Sequence, residues 1–278
     1  MRSTNPLFSG DTAPVIDITK PSIARAYDAA LNGKDNYEVD RELLRQILLV
    51  APEATQIAWD NRMFLIRLVR FLAYQAGITQ FLDCGSGLPA AENTHQIAQR
   101  IHPEARVIYV DNDPVVVAYG RALLQDNAQT HLVDADIFEP RHILDNETVR
   151  KHLNFSEPIA LLQNATLHHY NGTRSPADLM REYIDALPSG SYVGISHFLD
   201  PETSEYSPLA RRIEQVFLHS PLGCGWFRTR AEIAAMFPGL EMLEPGLTLC
   251  AQWWPDGPQI APLRPVQHCI AGGVGRKP

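Results

Sequence analysis

The sequence predicts an α/β fold: an open, mostly parallel sheet with helices on both faces, an antiparallel edge, and a helical segment ahead of it. Two observations carry this. Five short apolar runs, beginning at Ile78, Arg106, Thr130, Pro158 and Ser191, alternate with stretches of helical periodicity, and strands that alternate with helices pair in parallel. After them, residues 240–254 and 266–273 hold two strand-like runs with no helix between, which suits an antiparallel pair at one sheet edge.

In chain order, residues 1–20 contain Pro6, Gly10 and Pro14 without periodicity and read as an extended arm. Ser22 can cap a helix whose inward face is Ile23, Ala26, Tyr27, Ala30 and Leu31, and Gly33 can stop it. A polar loop, 32–37, follows. Residues 38–50 form a second helix, with Val39, Leu43, Leu44, Ile47 and Leu48 on one side. Residues 53–76 form a third, with Ile57, Phe64, Leu65, Leu68, Val69 and Leu72 inward and Gly77 as its stop. The first strand then runs into Asp83, Gly85 and Gly87, which predicts a strand, a tight turn and a helix start. The second strand, 106–110, closes on Asp111, and Asp113 with Pro114 opens a helix. The third, 130–133, ends at 134–137; the fourth is 158–162 and the fifth 191–196. Ser175 caps the helix before the fifth strand, and Thr229 with Glu232 has the spacing of a capping box.

Open parallel sheets bind ligands beyond the carboxyl ends of their strands. Polar residues stand at all five ends: Asp83 and Gly85, Asp111 and Asn112, Asp136, Asn164, and His197. Asp111 can accept hydrogen bonds from a ribose diol, or can serve as a turn acid before Asp113. Dinucleotide binding wants a third glycine where this chain has Ala90, preceded by Pro89; alanine is tolerated there. Asp83 is more telling. It would repel a pyrophosphate and could pair with a cationic amine or sulfonium. Acids at three strand ends favour a cofactor without phosphate.

Bulk properties narrow the classes. The chain has 278 residues, 45% hydrophobic and 20% charged, ordinary for a folded protein. A net charge of −8 offers no electrostatic footprint for duplex nucleic acid or an anionic membrane. No uncharged apolar run reaches about 18 residues, and the N-terminus lacks an apolar signal core, so a cytoplasmic location is expected. Cys84, Cys224, Cys250 and Cys269 are dispersed, which suggests free thiols and neither a disulfide framework nor a metal site.

The stretches 81–87, 109–114 and 133–136 resemble, in order and spacing, the first three motifs of class I S-adenosylmethionine-dependent methyltransferases. More closely, residues 21–27, 32–37, 81–89, 110–114 and 271–278 resemble a bacterial family of such proteins, common in actinomycetes and long known as a domain of unknown function. The resemblance implies a Rossmann-like sheet domain over 78–278 and a helical cap over 21–77. It implies S-adenosylmethionine as cofactor and S-adenosylhomocysteine as product, with no metal. Gly85, Ser86 and Gly87 would cradle the methionine portion, with Asp83 near its amine. Asp111 would bind the ribose, Asn112 would lie against the adenine, and Asp136 with Ile137 would meet the adenine edge; Asn164 completes the rim. Tyr27, Asp35, Asn36 and Arg62 would close the pocket, although residues 34–36 by themselves also read as a solvated turn.

Methyl transfer rests largely on orientation, with a base helpful for a hydroxyl acceptor. The base candidates are His168, His169 and His197, with His168 and His197 leading. Residues 164–167 do not resemble the Asn-Pro-Pro-aromatic motif of nucleic-acid amino methyltransferases. The expectation is therefore a methyltransferase acting on an oxygen or nitrogen of a small molecule, with no nucleic-acid or membrane partner and an acceptor pocket shaped by residues 199–230. The alternatives are a non-catalytic S-adenosylmethionine-binding sensor and, on a similar sheet, an NAD-dependent oxidoreductase.

Overall fold

A computed structural model describes residues 16–90, 92–124 and 127–278; of the expected arm, residues 1–15 lie outside that range. Three helices come first: α1 (Ile23–Ala30), α2 (Glu38–Val50) and α3 (Thr55–Tyr74). Ser22 caps α1 by accepting the Arg25 N–H at 3.1 Å, which satisfies a donor that a helix start leaves open. A buried ion pair then binds α1 to α2, with Arg25 Nε 3.0 Å from Asp40 Oδ2. Asp40 also accepts the backbone N–H groups of Ser22 and Tyr37, at 3.0 and 2.8 Å. Removing one member would strand a buried charge, a loss of about 3–5 kcal/mol.

Five strands follow, β1 (Gln80–Cys84), β2 (Arg106–Asp111), β3 (Thr130–Asp134), β4 (Ala160–Asn164) and β5 (Tyr192–Phe198), all parallel to one another. Between and after them lie α4 (Thr94–Ile101), α5 (Pro114–Leu123), α6 (Pro140–Leu144), α7 (Glu147–His152), α8 (Pro176–Ala186), α9 (Ser207–His219) and α10 (Arg230–Ala234). The chain closes with β6 (Glu241–Met242), β7 (Thr248–Leu249) and β8 (Ile270–Arg276). The sheet order is β3-β2-β1-β4-β5-β8-β6, with β7 also on β8, and β8 antiparallel to its three partners. Strand order reverses between β1 and β4, which puts the ligand crevice above that junction.

Side chains alternate along each strand between two cores. Phe81, Val107, Tyr109 and Leu162 join one, while Leu82, Ile108, Val110 and Leu161 join the other. Burial on both faces explains why these strands read as continuous apolar runs.

The expected edge pair and cap differ in detail. Residues 240–254 are not one strand: the Gly246 N–H closes a turn on the Leu243 carbonyl at 2.7 Å, leaving β6 and β7 two residues each. The run from 266 begins as a 3-10 turn, Pro265–Cys269, and β8 lies within the sheet, beside β5. The predicted cap, 21–77, divides in two. α3 lies flat on the sheet: a Cβ on Gly194 would come within 2.3 Å of Leu68, and one on Gly272 within 2.7 Å of Phe64. α1, α2 and the N-terminal part of α3 all line the crevice.

Candidate functional site

The turn after β1 is built by glycines in the left-handed region, Gly85 at φ +75° and Gly87 at +64°. Gly85 has a second reason to be glycine, since a Cβ there would sit 2.4 Å from Thr166 Cγ2. The N–H groups of Gly85 and Ser86 donate to the Val110 carbonyl at 2.7 and 3.3 Å, and that of Gly87 to Asp111 Oδ2 at 2.8 Å. All three are engaged inside the protein, and α4 begins only at Thr94. The turn therefore does not run directly into a helix start, and it presents no nest of N–H donors to a phosphate.

Above the turn lies a cavity of about 570 Å³, lined by the cap helices, by the ends of β1 to β5 and by α9. Asp83, Gly85, Ser86, Gly87, Asp111 and Asn112 reach it, as do Asp136, Ile137, Asn164, Tyr27 and Arg62. Asp83 accepts the Thr94 hydroxyl at 2.6 Å, and burial pushes its carboxyl up to about 6 against that bond and the nearby Arg62 charge. Arg62 donates to the Glu92 carbonyl at 3.0 Å. Asp111 accepts the N–H groups of Gly87 and Asp113 at 2.8 and 3.0 Å; burial again raises it to about 6. Each of its oxygens retains a lone pair for a further donor. Asp136 accepts only the Phe138 N–H among the described side-chain bonds, at 2.9 Å.

Asn164 stands apart. Both its amide atoms are buried without a hydrogen-bond partner among the described residues, and it faces the cavity. Buried polar atoms are rarely left so, and an orphaned donor and acceptor at a cavity wall fit a polar ligand.

Asp35 and Asn36 are not brought to the cavity. Asp28 accepts the Asp35 N–H at 3.0 Å and the Asn36 amide at 2.8 Å, and Asp35 in turn accepts the Tyr119 hydroxyl, which pins the loop to α5. Gly33 allows this, because its missing Cβ would fall 1.9 Å from the Asp28 carboxylate.

The two leading histidine candidates part company. In β5, Tyr192, Gly194, Ser196 and Phe198 share the face toward α3, so His197 points to the other side. Its Nδ1 donates to the Phe198 carbonyl at 2.7 Å and its Nε2 accepts from Arg228 at 2.9 Å, while burial lowers it to about 3. His197 is thus corrected from a cavity base to a structural residue. His168 does line the cavity, in the turn Leu167–His169. Its Nδ1 accepts the Phe198 N–H at 3.3 Å, its ring stacks on Phe198 at 3.6 Å, and burial holds it well below the usual imidazole range. His169 beside it also lines the cavity, held by burial to about 3.

Sequence reasoning missed Asn61. Its Nδ2 donates to the Tyr27 hydroxyl at 2.9 Å, its Oδ1 accepts from Ser196, and the Ser196 oxygen accepts the Ala165 N–H at 2.9 Å. Ala165 takes φ +56°, an unusual value outside glycine, which this line supports. The available signal was a polar run at 60–62 in the middle of an apolar helix.

No group of three or more His, Cys, Asp or Glu among the described residues is placed to hold a metal, and no helix there is long and apolar enough to cross a membrane. No curated protein matches the chain. Solved structures do, and two of them are similar over nearly the whole chain. A candidate methyltransferase from Thermobifida fusca YX is 42% identical, aligned over 94% of this chain and 96% of its own, with a TM-score of 0.88. A DUF574 family protein from Streptomyces avermitilis MA-4680 is 35% identical over 95% of this chain and 100% of its own, also at 0.88. The strand order, with an antiparallel strand beside β5, is the Rossmann-like sheet of class I methyltransferases. The S-adenosyl methyltransferase family model matches residues 9–278, a span that takes in the glycine turn, the carboxylate rim and β8 alike, and the chain belongs to that family.

Proposed function

We propose that the protein transfers the methyl group of S-adenosylmethionine to an oxygen or nitrogen of a small molecule. One observation carries the reading: three carboxylates line the cavity above a turn whose N–H groups at 85–87 are already engaged, so the turn offers a pyrophosphate no cradle and the rim is organised for positive charge and hydroxyls. The bound cofactor supplies an electrophilic methyl carbon on a sulfonium.

The chain supplies position and charge. Asp83 holds the ammonium of the methionine portion, and Arg62 offers its carboxylate a positive partner. Asp111 accepts from the ribose diol with its remaining lone pairs. Asn112, Asp136 and Ile137 flank the base, and Asn164 gives its unused amide to the cofactor's polar edge. His168 orients the acceptor: with Nδ1 occupied, the neutral ring presents Nε2–H as a donor. An imidazole this weakly basic is poorly matched to general-base work near neutral pH, so rate comes chiefly from holding acceptor and methyl group in line.

Calorimetry with S-adenosylmethionine, S-adenosylhomocysteine and NAD tests the cofactor. Binding of both adenosyl compounds without NAD is expected, and tight NAD binding with neither of them refutes it. Labelled methyl donor with a host metabolite extract tests catalysis. A labelled product is expected; cofactor binding with no product at any pH favours a sensor.

A further inference from the structure

The cavity extends beyond what the carboxylate rim can serve. The charged side chains on its wall, Arg62, Asp83, Asp111, Asp113 and Asp136, lie on α3 or at the ends of β1, β2 and β3. By sheet order these are the strands on one side of the crevice, together with β1 at the switch point. Beyond β4, toward β5 and α9, the lining carries no charged group among the described residues. That chamber is walled by Leu44 and Ile47 from α2, Ile213 and Phe217 from α9, Phe198 at the end of β5, and His168.

Its chemistry is restrictive. Burial keeps His168 neutral, and His169 behind it engages the Cys224 sulfur through Nδ1 at 3.3 Å. A charged acceptor entering here would leave water for a wall that cannot compensate it. The aromatic side is ordered in advance: Phe198 stacks between neighbours, 3.6 Å from His168 and 4.7 Å from Phe227. Phe217, 5.5 Å from Phe198 and 6.0 Å from His169, is only partly buried, so part of its ring lacks a partner. Aromatic pairs prefer such offset and edge geometries.

We infer that the methyl acceptor is an uncharged aromatic small molecule, bound in this chamber with its hydroxyl or amine toward His168. The inference rests on the proposed methyltransferase reading and adds the substrate class to it. The test uses three probes of one shape on protein loaded with S-adenosylhomocysteine: 1-naphthol, anionic 1-naphthoate and cationic 1-naphthylmethylamine, with 1-octanol as an aliphatic control. Naphthol should bind at least about tenfold more tightly than either charged probe, since neither charge would find a partner. Leu44→Asp and Phe217→Asp, on two different helices and both partly exposed, should each weaken naphthol by about tenfold or more while S-adenosylhomocysteine affinity stays within about twofold. That retained affinity also reports that each variant is folded.

Equal or tighter binding of a charged probe, tighter binding of octanol, or no naphthol binding by loaded protein overturns the inference and leaves the cofactor reading intact. Failure of folded wild-type protein to bind S-adenosylhomocysteine would instead overturn the reading on which it rests.

Discussion

The two halves of the cavity are made in different ways. The rim over β1 to β4 is assembled from single polar residues at strand ends, each fixed by a backbone whose hydrogen bonds are internal. The chamber toward β5 is assembled from ordinary apolar side chains on α2, α9 and the end of β5, elements far apart in the chain. Charge and rigid backbone define one ligand narrowly. Apolar walls define a class by exclusion, and a pocket of that kind can be altered by exchanging side chains without touching the sheet.

Asp111→Ala should break the rim most severely. It removes the acceptor of the Gly87 and Asp113 N–H groups as well as the ribose contact, and cofactor affinity should fall by about a hundredfold or more, read by calorimetry. Unchanged affinity would remove the ribose assignment.

Acidification should come next, and it should act on the rim alone. Asp83 and Asp111 lie near 6 in the fold against an ordinary 3.8. Groups raised on folding contribute stability that is complete below their unfolded value and is lost as pH rises through the folded one. Each therefore makes the cofactor-free fold less stable as pH climbs from about 4 to 6. Binding of a cationic ligand to Asp83 needs the opposite state, so affinity should drop toward about tenfold per unit below pH 6. Naphthol binding to the chamber should stay flat over that range wherever the cofactor site remains loaded. A cofactor affinity independent of pH from 7.5 to 5 would contradict the assignment.

Asn164→Ala should have the smallest effect and the most specific one. Because neither amide atom has a partner among the described residues, thermal stability should hold or rise slightly, while cofactor affinity falls by roughly three- to tenfold. A loss of stability with unchanged affinity would make Asn164 a packing residue.

The same contrast explains what could be read from the chain. The parallel strands, the glycine turn and the acids at 83, 111 and 136 were legible because strand ends coincide with abrupt changes from apolar to polar. His197 misled because a polar residue at a strand end carries no mark of the face it takes, and one step along β5 reverses that face. Asp35 and Asn36 misled because their anchor, Asp28, sits in the preceding helix, and nothing in the loop's own residues points back to it. The chamber was hidden more deeply. Leu44, Ile213 and Phe217 carry the periodicity of any amphipathic helix, and only their convergence in space makes them a binding wall.

Tyr27, Asn61, Ser196 and Ala165 form one hydrogen-bonded line from α1 through α3 and β5 to the turn after β4. Since Arg25 and Asp40 fasten α1 to α2, the two helices are coupled, and the bonds of Tyr27 to the Ala58 carbonyl and to Asn61 tie both of them to α3. The roof and the floor of the cavity thus hang on one buried amide, Asn61, which also forms part of the cavity wall. A change at that single position would be felt by two helices, a strand and a turn that are far apart in the chain.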